Sequence, residues 1–346
     1  YWTLRQVFPA VAAVPGERAR FFAAREEASL VLDPRVLGRR IGGRGLDLVH
    51  VREDTLDDLM NPMRLDNLDA ILADREDSPI NRQFAPICYF HGLMLWASQW
   101  HPAMGRWIGR VAAAPPAWLV VGVGLIGIST ILFFWLGEPR YRAAVGTSVM
   151  VVGAVGMVLQ VVLLLIFQSL AGFAYLQLSL IIALFRAGLA VGTVAVTMKK
   201  RSGRQDRWAI LWLARVQGGV TLLPLLLVLF VSSSAEGMRQ SLSTTTVAWL
   251  VTLASLFTGV LGGSHFALAA LASAAVGARV ERTGGYLYAC DLAGAAGGAL
   301  AAGVYMLPLL GLASTVLLLS LMSGVCWVAL LRRPGHAGRW WTKPAS

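Results

Sequence analysis

The chain has 346 residues, of which 56% are hydrophobic and 14% are charged, and its formal net charge is +11. Its mean hydropathy of +0.63 excludes an ordinary soluble domain, in which charged residues make up about 25%. All of the net charge lies in residues 117–346, which hold 16 Lys and Arg against 5 Asp and Glu. These basic residues lie between long apolar runs, so they favour orientation in a lipid bilayer over binding to nucleic acid.

Residues 1–110 are predicted to form a soluble α/β segment with short strands. Val11 to Val14 has the pattern of a strand, and Arg20 to Ala24 has that of its hairpin partner. Leu48 to Val51 is predicted to be a third short strand. Three short strands cannot bury the core of a complete doubly wound domain, so the segment is expected to be the end of a Rossmann-like domain.

Two helices are predicted in the same segment. Asp33 and Pro34 combine a capping side chain with a first-turn proline, and this helix is expected to end at Gly42-Gly43. A second helix is predicted from Asp57 to Leu72, with a break at Asn61-Pro62. Proline breaks a helix because it lacks an amide hydrogen and its ring clashes with the preceding turn.

The apolar run from Ile87 to Trp100 is too short to cross a bilayer and is predicted to be a buried or interfacial helix. No catalytic set is predicted in this part of the chain. His50, His91 and His101 do not have the spacing of metal ligands. No metal site is therefore expected.

About seven membrane-spanning helices are predicted within residues 117–331, followed by a basic tail at 332–346. A spanning helix needs about 20 mostly apolar residues, because the hydrocarbon layer is about 30 Å thick. The last two runs are separated only by Pro308 to Gly311, which predicts a tight helical hairpin. The seven runs lie near 117–137, 143–167, 170–198, 207–231, 245–276, 286–309 and 312–331.

Lys and Arg residues on alternate loops predict that the C-terminus faces the cytoplasm. The opposite loops carry only Arg239. With seven spans, the N-terminal segment is expected on the outer side of the membrane. The basic residues on the alternate loops and the tail are Arg140, Arg142, Lys199, Lys200, Arg201, Arg204, Arg207, Arg279, Arg282, Arg332, Arg333, Arg339 and Lys343.

Four ionisable residues within the predicted spans are candidates for function, because such residues are rare in lipid. Arg215 and Asp291 each lie about 10–12 Å from the cytoplasmic ends of their helices, a depth at which they can form a buried ion pair. Arg186 and His265 lie about 18 Å deep, near the midplane. The alternatives are that these residues only fix the packing of the helices, or that the arginine side chains extend to the cytoplasmic interface of the membrane.

Gln160, Gln168 and Gln177 are expected to form hydrogen bonds between helices, with contact to a substrate as the alternative. The small-residue runs at Gly262-Gly263 and 294–298 are expected to allow close approach of neighbouring helices. They do not form a phosphate-binding loop, because no strand precedes them and no lysine follows.

Several stretches resemble the bacterial membrane-bound spermidine synthase-like family, also described as fused transporter-like/spermidine synthase proteins. Gln160 stands where that resemblance leads us to expect glutamate, and Arg186 where it leads us to expect methionine. The similar stretches are DSPINRQFAPICYFHGLMLWASQW (Asp77 to Trp100), GMVLQVVLLLIFQ (Gly156 to Gln168), LFRAGLAVG (Leu184 to Gly192), LGGSHFALA (Leu261 to Ala269) and GYLYACDLAGAAGGALAAG (Gly285 to Gly303).

The resemblance implies a Rossmann-like domain that binds a decarboxylated S-adenosylmethionine-type nucleoside and transfers an aminopropyl group to a polyamine. The motifs for this chemistry would lie before Tyr1, so no catalytic or cofactor-binding residue is assigned. The chain is then expected to be the membrane-anchoring part of such a protein in the bacterial inner membrane, not catalytic alone.

The alternative is a small-molecule transporter or a structural subunit of a membrane complex. Expected partners are the lipid bilayer, the upstream part of the same protein and other membrane subunits.

Overall fold

A computed structural model shows a mostly helical chain that divides into two compact units, Tyr1–Asn81 and Arg82–Ser346. The predicted basic tail 332–346, most of the predicted span 117–137 and His50 lie outside the described residues. The structure describes residues 1–45, 48, 51, 53–75, 78–112, 121, 122, 125, 128, 139–172, 175–199, 205–234, 243–275 and 280–331.

The first unit begins with a short helix and a β-hairpin. Helix α1 (Trp2–Arg5) precedes strands β1 (Ala10–Val14) and β2 (Arg20–Ala24), which pair antiparallel. The hairpin confirms the sequence prediction. Of the predicted third strand, the two described residues, Leu48 and Val51, are not in a strand.

Three further helices follow in this unit, of which the first and the third begin where the sequence predicts and the second begins at Glu53, before the predicted start at Asp57. The side chain of Asp33 accepts a hydrogen bond from the Arg35 amide at the start of α2 (Pro34–Gly43). The predicted break at Asn61-Pro62 separates α3 (Glu53–Leu59) from α4 (Pro62–Ala73), and the Asn61 side chain caps α4.

The described part of Tyr1–Asn81 shows no Rossmann fold, so this part of the predicted fold class is corrected. Its one sheet has two antiparallel strands, whereas a Rossmann fold needs several parallel strands with helices on both faces.

The second unit is helical throughout its described residues. The segment predicted to be interfacial forms a 14-residue helix, which is shorter than a spanning helix. The helices are α5 (Ile87–Trp100), α6 (Pro102–Ala112), α7 (Pro139–Ala171), α8 (Tyr175–Met198), α9 (Gln205–Ser234), α10 (Thr244–Ala275), α11 (Val280–Ala301) with its π-helical continuation Ala302–Leu310, and α12 (Gly311–Leu331).

Five segments of the described chain are long and apolar enough to cross a membrane, which differs from the predicted count of seven. Most of predicted span 117–137 lies outside the described residues. The last two predicted spans belong to one 49-residue segment. The five segments are Ala143–Ala171, Tyr175–Met198, Trp208–Leu229, Thr244–Ala274 and Thr283–Leu331.

The 49-residue segment changes direction at Gly311, where the sequence predicts a hairpin. Gly311 has φ 77° and ψ 172°, a conformation that favours glycine because a Cβ atom would be strained there. Before this residue, α11 runs parallel to α7, because Gly294 packs on Met150 and Gly298 packs on Ala154.

After Gly311, α12 runs antiparallel to α7. The Leu312 amide donates a 2.8 Å hydrogen bond to the Phe84 carbonyl, and the neighbouring Gln83 side chain donates to the Ser169 carbonyl near the end of α7. Ser323, farther along α12, belongs to a network that reaches the first part of α7. The segment therefore makes two passes along α7.

Glycines bring α8 and α10 into backbone contact. A Cβ atom added at Gly259 would collide with the carbonyl oxygen of Phe185, and one added at Gly263 would collide with that of Leu189. The order of these contacts shows that the two helices run parallel. Thr193 Oγ1 also donates a 3.2 Å hydrogen bond to the Gly263 carbonyl. The contacts confirm the close helix approach predicted from the glycines.

Hydrogen bonds at two levels of the bundle show that α7 and α10 are antiparallel. Ser148 contacts His265, and Gln160 contacts Ser255. The starts of α7, α9 and α11 therefore lie at the same end of the bundle as the ends of α8, α10 and α12. We call this end the basic end, because the basic loops of the sequence adjoin these termini.

Replacing Gly263 with alanine is expected to destabilise the bundle by about 1–3 kcal/mol, because the added Cβ has no room against the Leu189 carbonyl. Thermal unfolding of the purified chain in detergent measures the effect. Gly297→Ala is the matched control, since nothing lies within 4 Å of the added atom and alanine favours a helix. Equal losses in both variants would contradict the close packing of α8 on α10.

Candidate functional site

A cavity of about 570 Å³ opens at the surface of the helical unit, between the glycine-packed pair α8–α10 and the pair α7–α11, with α9 adding part of one wall. Arg186, Tyr288 and Leu292 on its wall are exposed. Its volume is typical of sites that bind small molecules. The walls are mainly aliphatic and aromatic. The polar side chains that line it are those of Gln160, Arg186, Thr193, Thr258, Tyr288 and Asp291.

Gln160 places a buried amide at this cavity. The residue is 6% exposed, and its side-chain amide lies 3.1 Å from Ser255 Oγ on α10. Ser255 Oγ has one hydrogen, which it donates to the Ile181 carbonyl on α8 at 2.8 Å, so it accepts a hydrogen bond from the amide nitrogen of Gln160. The amide therefore links α7 to α8 and α10.

Arg186 and Asp291 place opposite charges on the same cavity. Arg186 projects from α8 and Asp291 from α11. The Asp291 carboxylate packs on the backbone of α7, because a Cβ atom added at Gly153 would lie 2.7 Å from its Oδ1. Among the described residues, neither Arg186 nor Asp291 has an ion-pair or hydrogen-bond partner.

The two charged residues reach the cavity at different levels along α7. Asp291 packs on Gly153, whereas the ring of Phe185, the residue before Arg186, reaches Gly156. Three residues of helix correspond to about 5 Å. Gln160 lies one turn beyond Gly156 along α7. The level of Arg186 therefore falls between those of Asp291 and Gln160.

The structure does not bring Arg215 to Asp291, although the sequence places them at similar depths. Arg215 lies on α9, which packs against α12 and α10, whereas Asp291 lies on α11 beside α7. The guanidinium of Arg215 instead lies 5.1 Å from the ring centroid of Trp212. Depth along a helix does not specify which face a side chain occupies, and this is why the predicted pair does not form.

His265 belongs to a buried network outside the cavity lining. The residue is 1% exposed, and its Nε2 lies 2.9 Å from Ser148 Oγ. Ser148 Oγ also lies 3.1 Å from Gln217 Oε1, and Gln217 Nε2 lies 2.9 Å from Ser323 Oγ. Thr221 Oγ1 lies 2.9 Å from Ser323 Oγ. The network therefore joins α7, α9, α10 and α12.

Each hydrogen in this network can be assigned to one acceptor. Gln217 Oε1 needs a donor, which is the Ser148 hydroxyl, so Ser148 accepts from His265 Nε2. Gln217 Nε2 donates to Ser323, whose hydroxyl donates to Thr221 while Thr221 donates to the Gln217 carbonyl. The arrangement fixes the Nε2-protonated form of His265 and satisfies every hydroxyl.

Sequence reasoning missed Ser148, Gln217, Thr221 and Ser323. Gln217 could have been found, because it is an amide within an apolar run, like Gln160. The serines and the threonine carry no such signal, since hydroxyl side chains are common in membrane helices and often bond to their own backbone.

No group of three His, Cys, Asp or Glu residues in the described parts of the chain is placed to hold a metal ion. No described residue of Tyr1–Asn81 is assigned a catalytic role.

No protein-family model, curated protein or solved structure matches this chain. Membership of the spermidine synthase-like family therefore stays a prediction from the sequence motifs.

Replacing Gln217 with leucine is expected to lower the free energy of unfolding by about 1–2 kcal/mol, because it removes the hydrogen bonds that the Gln217 amide makes with Ser148 and Ser323. Gln177→Leu is the matched control, since Gln177 is half-buried and makes no side-chain hydrogen bond to described residues. Chemical or thermal unfolding in detergent compares the two variants. An unchanged stability for Gln217→Leu would show that the network does not hold the helices together.

Proposed function

We propose that the helical unit carries a small polar molecule across a membrane and binds it in the cavity. The observation that carries this proposal is a cavity lined by two charged residues of candidate spans, Arg186 and Asp291, which have no ion-pair partner among the described residues, and by the amide-bearing Gln160. Polar groups inside membrane helices are costly and commonly mark a substrate pathway. The five candidate spans support a membrane location.

The helix contacts suit a carrier that opens alternately to its two sides. The pairs α8–α10 and α7–α11 are each held by glycine contacts, so each pair can move as one body. Between these pairs, α7 and α10 touch through hydrogen bonds at Ser148 and at Gln160. These contacts are 12 residues apart on α7, about 18 Å, and bracket the cavity. Rocking of one pair against the other would open either end.

We propose that the basic end faces the cytoplasm of a bacterial cell and that the protein lies in the inner membrane. The support is the positive-inside rule applied to the basic loops that adjoin this end of the bundle. Lys199 lies at the end of α8 and is exposed, so it is a suitable reporter of orientation.

The alternative functions stay open to test. An anchor for a spermidine synthase-like domain, or a structural subunit of a membrane complex, needs no ligand in the cavity. Either function leaves the two charges of the cavity, Arg186 and Asp291, without a role. A carrier, in contrast, must admit water and its substrate to these residues.

A cysteine introduced at Thr193 is expected to react with a water-soluble, positively charged methanethiosulfonate reagent, because the cavity admits water and thiols react as thiolates. The background lacks the native cysteines Cys88, Cys290 and Cys326, which form no disulfide. Val191→Cys is the control, because Val191 is on the same helix, is 55% exposed and does not line the cavity.

Equal protection of the two introduced cysteines would contradict a carrier and favour the anchor or the structural subunit. The same reagent applied to Lys199→Cys in intact cells tests orientation. We expect labelling only after the membrane is permeabilised, and labelling of intact cells from outside would reverse the assignment.

A further inference from the structure

We infer that a group of two cations and two tryptophans at the basic end binds the negatively charged headgroup of a phospholipid. We call Lys199, Trp208, Trp212 and Arg215 the cation–tryptophan cluster. The inference goes beyond the carrier function and does not rest on it, because it requires only that the candidate spans lie in a bilayer. It follows from the contacts, the depth and the charge of these side chains.

Both cations of the cluster lie against one aromatic ring. The guanidinium carbon of Arg215 lies 5.1 Å from the ring centroid of Trp212, and Lys199 Nζ lies 5.7 Å from the same centroid. A cation within about 6 Å of a tryptophan centroid is attracted to the face of the ring. Trp208, one turn earlier on α9, has its ring centroid 6.2 Å from that of Trp212. These contacts bring a cation from the end of α8 and one from α9 into a single site.

The cluster lies at the level where spanning helices enter the headgroup layer. The candidate span of α9 begins at Trp208, and that of α8 ends at Met198, the residue before Lys199. Arg215 lies about 10 Å into its span, but its guanidinium lies beside the ring of Trp212, which is one turn nearer the basic end. Tryptophan is enriched at this level of membrane helices. Both charges therefore reach the depth at which lipid phosphate groups lie.

The charge of the cluster is unbalanced. Among the described residues, neither Lys199 nor Arg215 has an ion-pair or hydrogen-bond partner. Both residues are exposed on the outer surface of the bundle, so a lipid of the surrounding bilayer can reach them. A phosphodiester supplies the missing negative charge and accepts hydrogen bonds from guanidinium and ammonium groups. Basic sites between membrane helices bind anionic headgroups by the same interactions.

The surface beside the cluster favours a phospholipid over a soluble anion. Met198 precedes Lys199 and is 75% exposed, and Leu211 precedes Trp212 and is 39% exposed. Apolar side chains at the surface of a span gain contacts with acyl chains. A free phosphate ion gains nothing from them, because it has no apolar surface to bury.

The simpler account is that Arg215 only extends its side chain to the interface. On that account, Arg215 attracts anionic lipid no more than any other exposed arginine of the bundle. Arg186 is the matched comparison, because it is an exposed arginine on a candidate span. Among the described residues, its guanidinium lies over no aromatic ring.

The preference for a headgroup is measured on the purified full chain in phosphatidylcholine vesicles. Either spin-labelled phosphatidylglycerol or spin-labelled phosphatidylcholine is added, and electron paramagnetic resonance gives the fraction of each that the protein immobilises. Phosphatidylglycerol is expected to be preferred about threefold or more at low salt, because it carries a net negative charge. The preference is expected to fall as salt is added, because ions screen charges at the interface.

Substitutions then assign the preference to the cluster. Arg215→Gln is expected to lower it about twofold, and Lys199→Gln combined with Arg215→Gln is expected to lower it further. Arg215→Lys is expected to keep more of the preference than Arg215→Gln, because the charge remains. Arg186→Gln, which removes the same charge elsewhere on the bundle, is expected to leave the preference unchanged.

A second pair of variants tests the ring that holds the two cations. Trp212→Leu is expected to lower the preference, whereas Trp249→Leu is expected to leave it unchanged. Trp249 is a suitable control, because it is 59% exposed on α10 and no described cation lies over its ring. Thermal unfolding in detergent is expected to be the same for the two variants, so a lost preference reports the site and not the fold.

The inference is overturned if phosphatidylglycerol is immobilised no better than phosphatidylcholine, if the variant without both cations keeps the full preference, or if Arg186→Gln lowers it as much as Arg215→Gln. Loss of a dimer in the variant without both cations, with an unchanged lipid preference, would assign the cluster to a contact between two copies of the chain and overturn the inference as well.

Discussion

Backbone contact between α8 and α10 is the constraint on which the rest of the helical unit depends. Gly259 and Gly263 leave no space for a side chain against the carbonyl groups of Phe185 and Leu189. In lipid, such close packing replaces the hydrophobic driving force that holds soluble helices together. It fixes the register of α8 against α10 and therefore the level at which Arg186 enters the cavity.

The polar side chains of the helical unit fall into two sets, one that has hydrogen-bond partners and one that does not. The network around His265 and Gln217 satisfies its hydroxyls and its amide, so it is suited to holding four helices together. At the cavity, the charged side chains of Arg186 and Asp291 have no ion-pair or hydrogen-bond partners among the described residues. Structural groups are normally satisfied within a fold, so the unsatisfied set is the better candidate for a ligand site.

Local sequence signals predicted the capped helix starts at Asp33 and Asn61, the hairpin, and the apolar helices, because these depend on neighbouring residues. The number of candidate spans differed, because most of the run 117–137 lies outside the described residues and the last two runs belong to one 49-residue segment that turns at Gly311. The rarity of polar groups in lipid singled out Gln160, Arg186 and Asp291. Their meeting at one cavity could not be predicted, because it depends on which faces the helices turn towards each other.

The most direct test is an electron cryomicroscopy map of the full chain in lipid nanodiscs. The expected map shows Arg186, Asp291 and Gln160 around one cavity between α8–α10 and α7–α11. A map in which α8 and α10 are separated by side chains, or in which Arg186 and Asp291 face the lipid on opposite sides, would contradict the site and the function proposed for it.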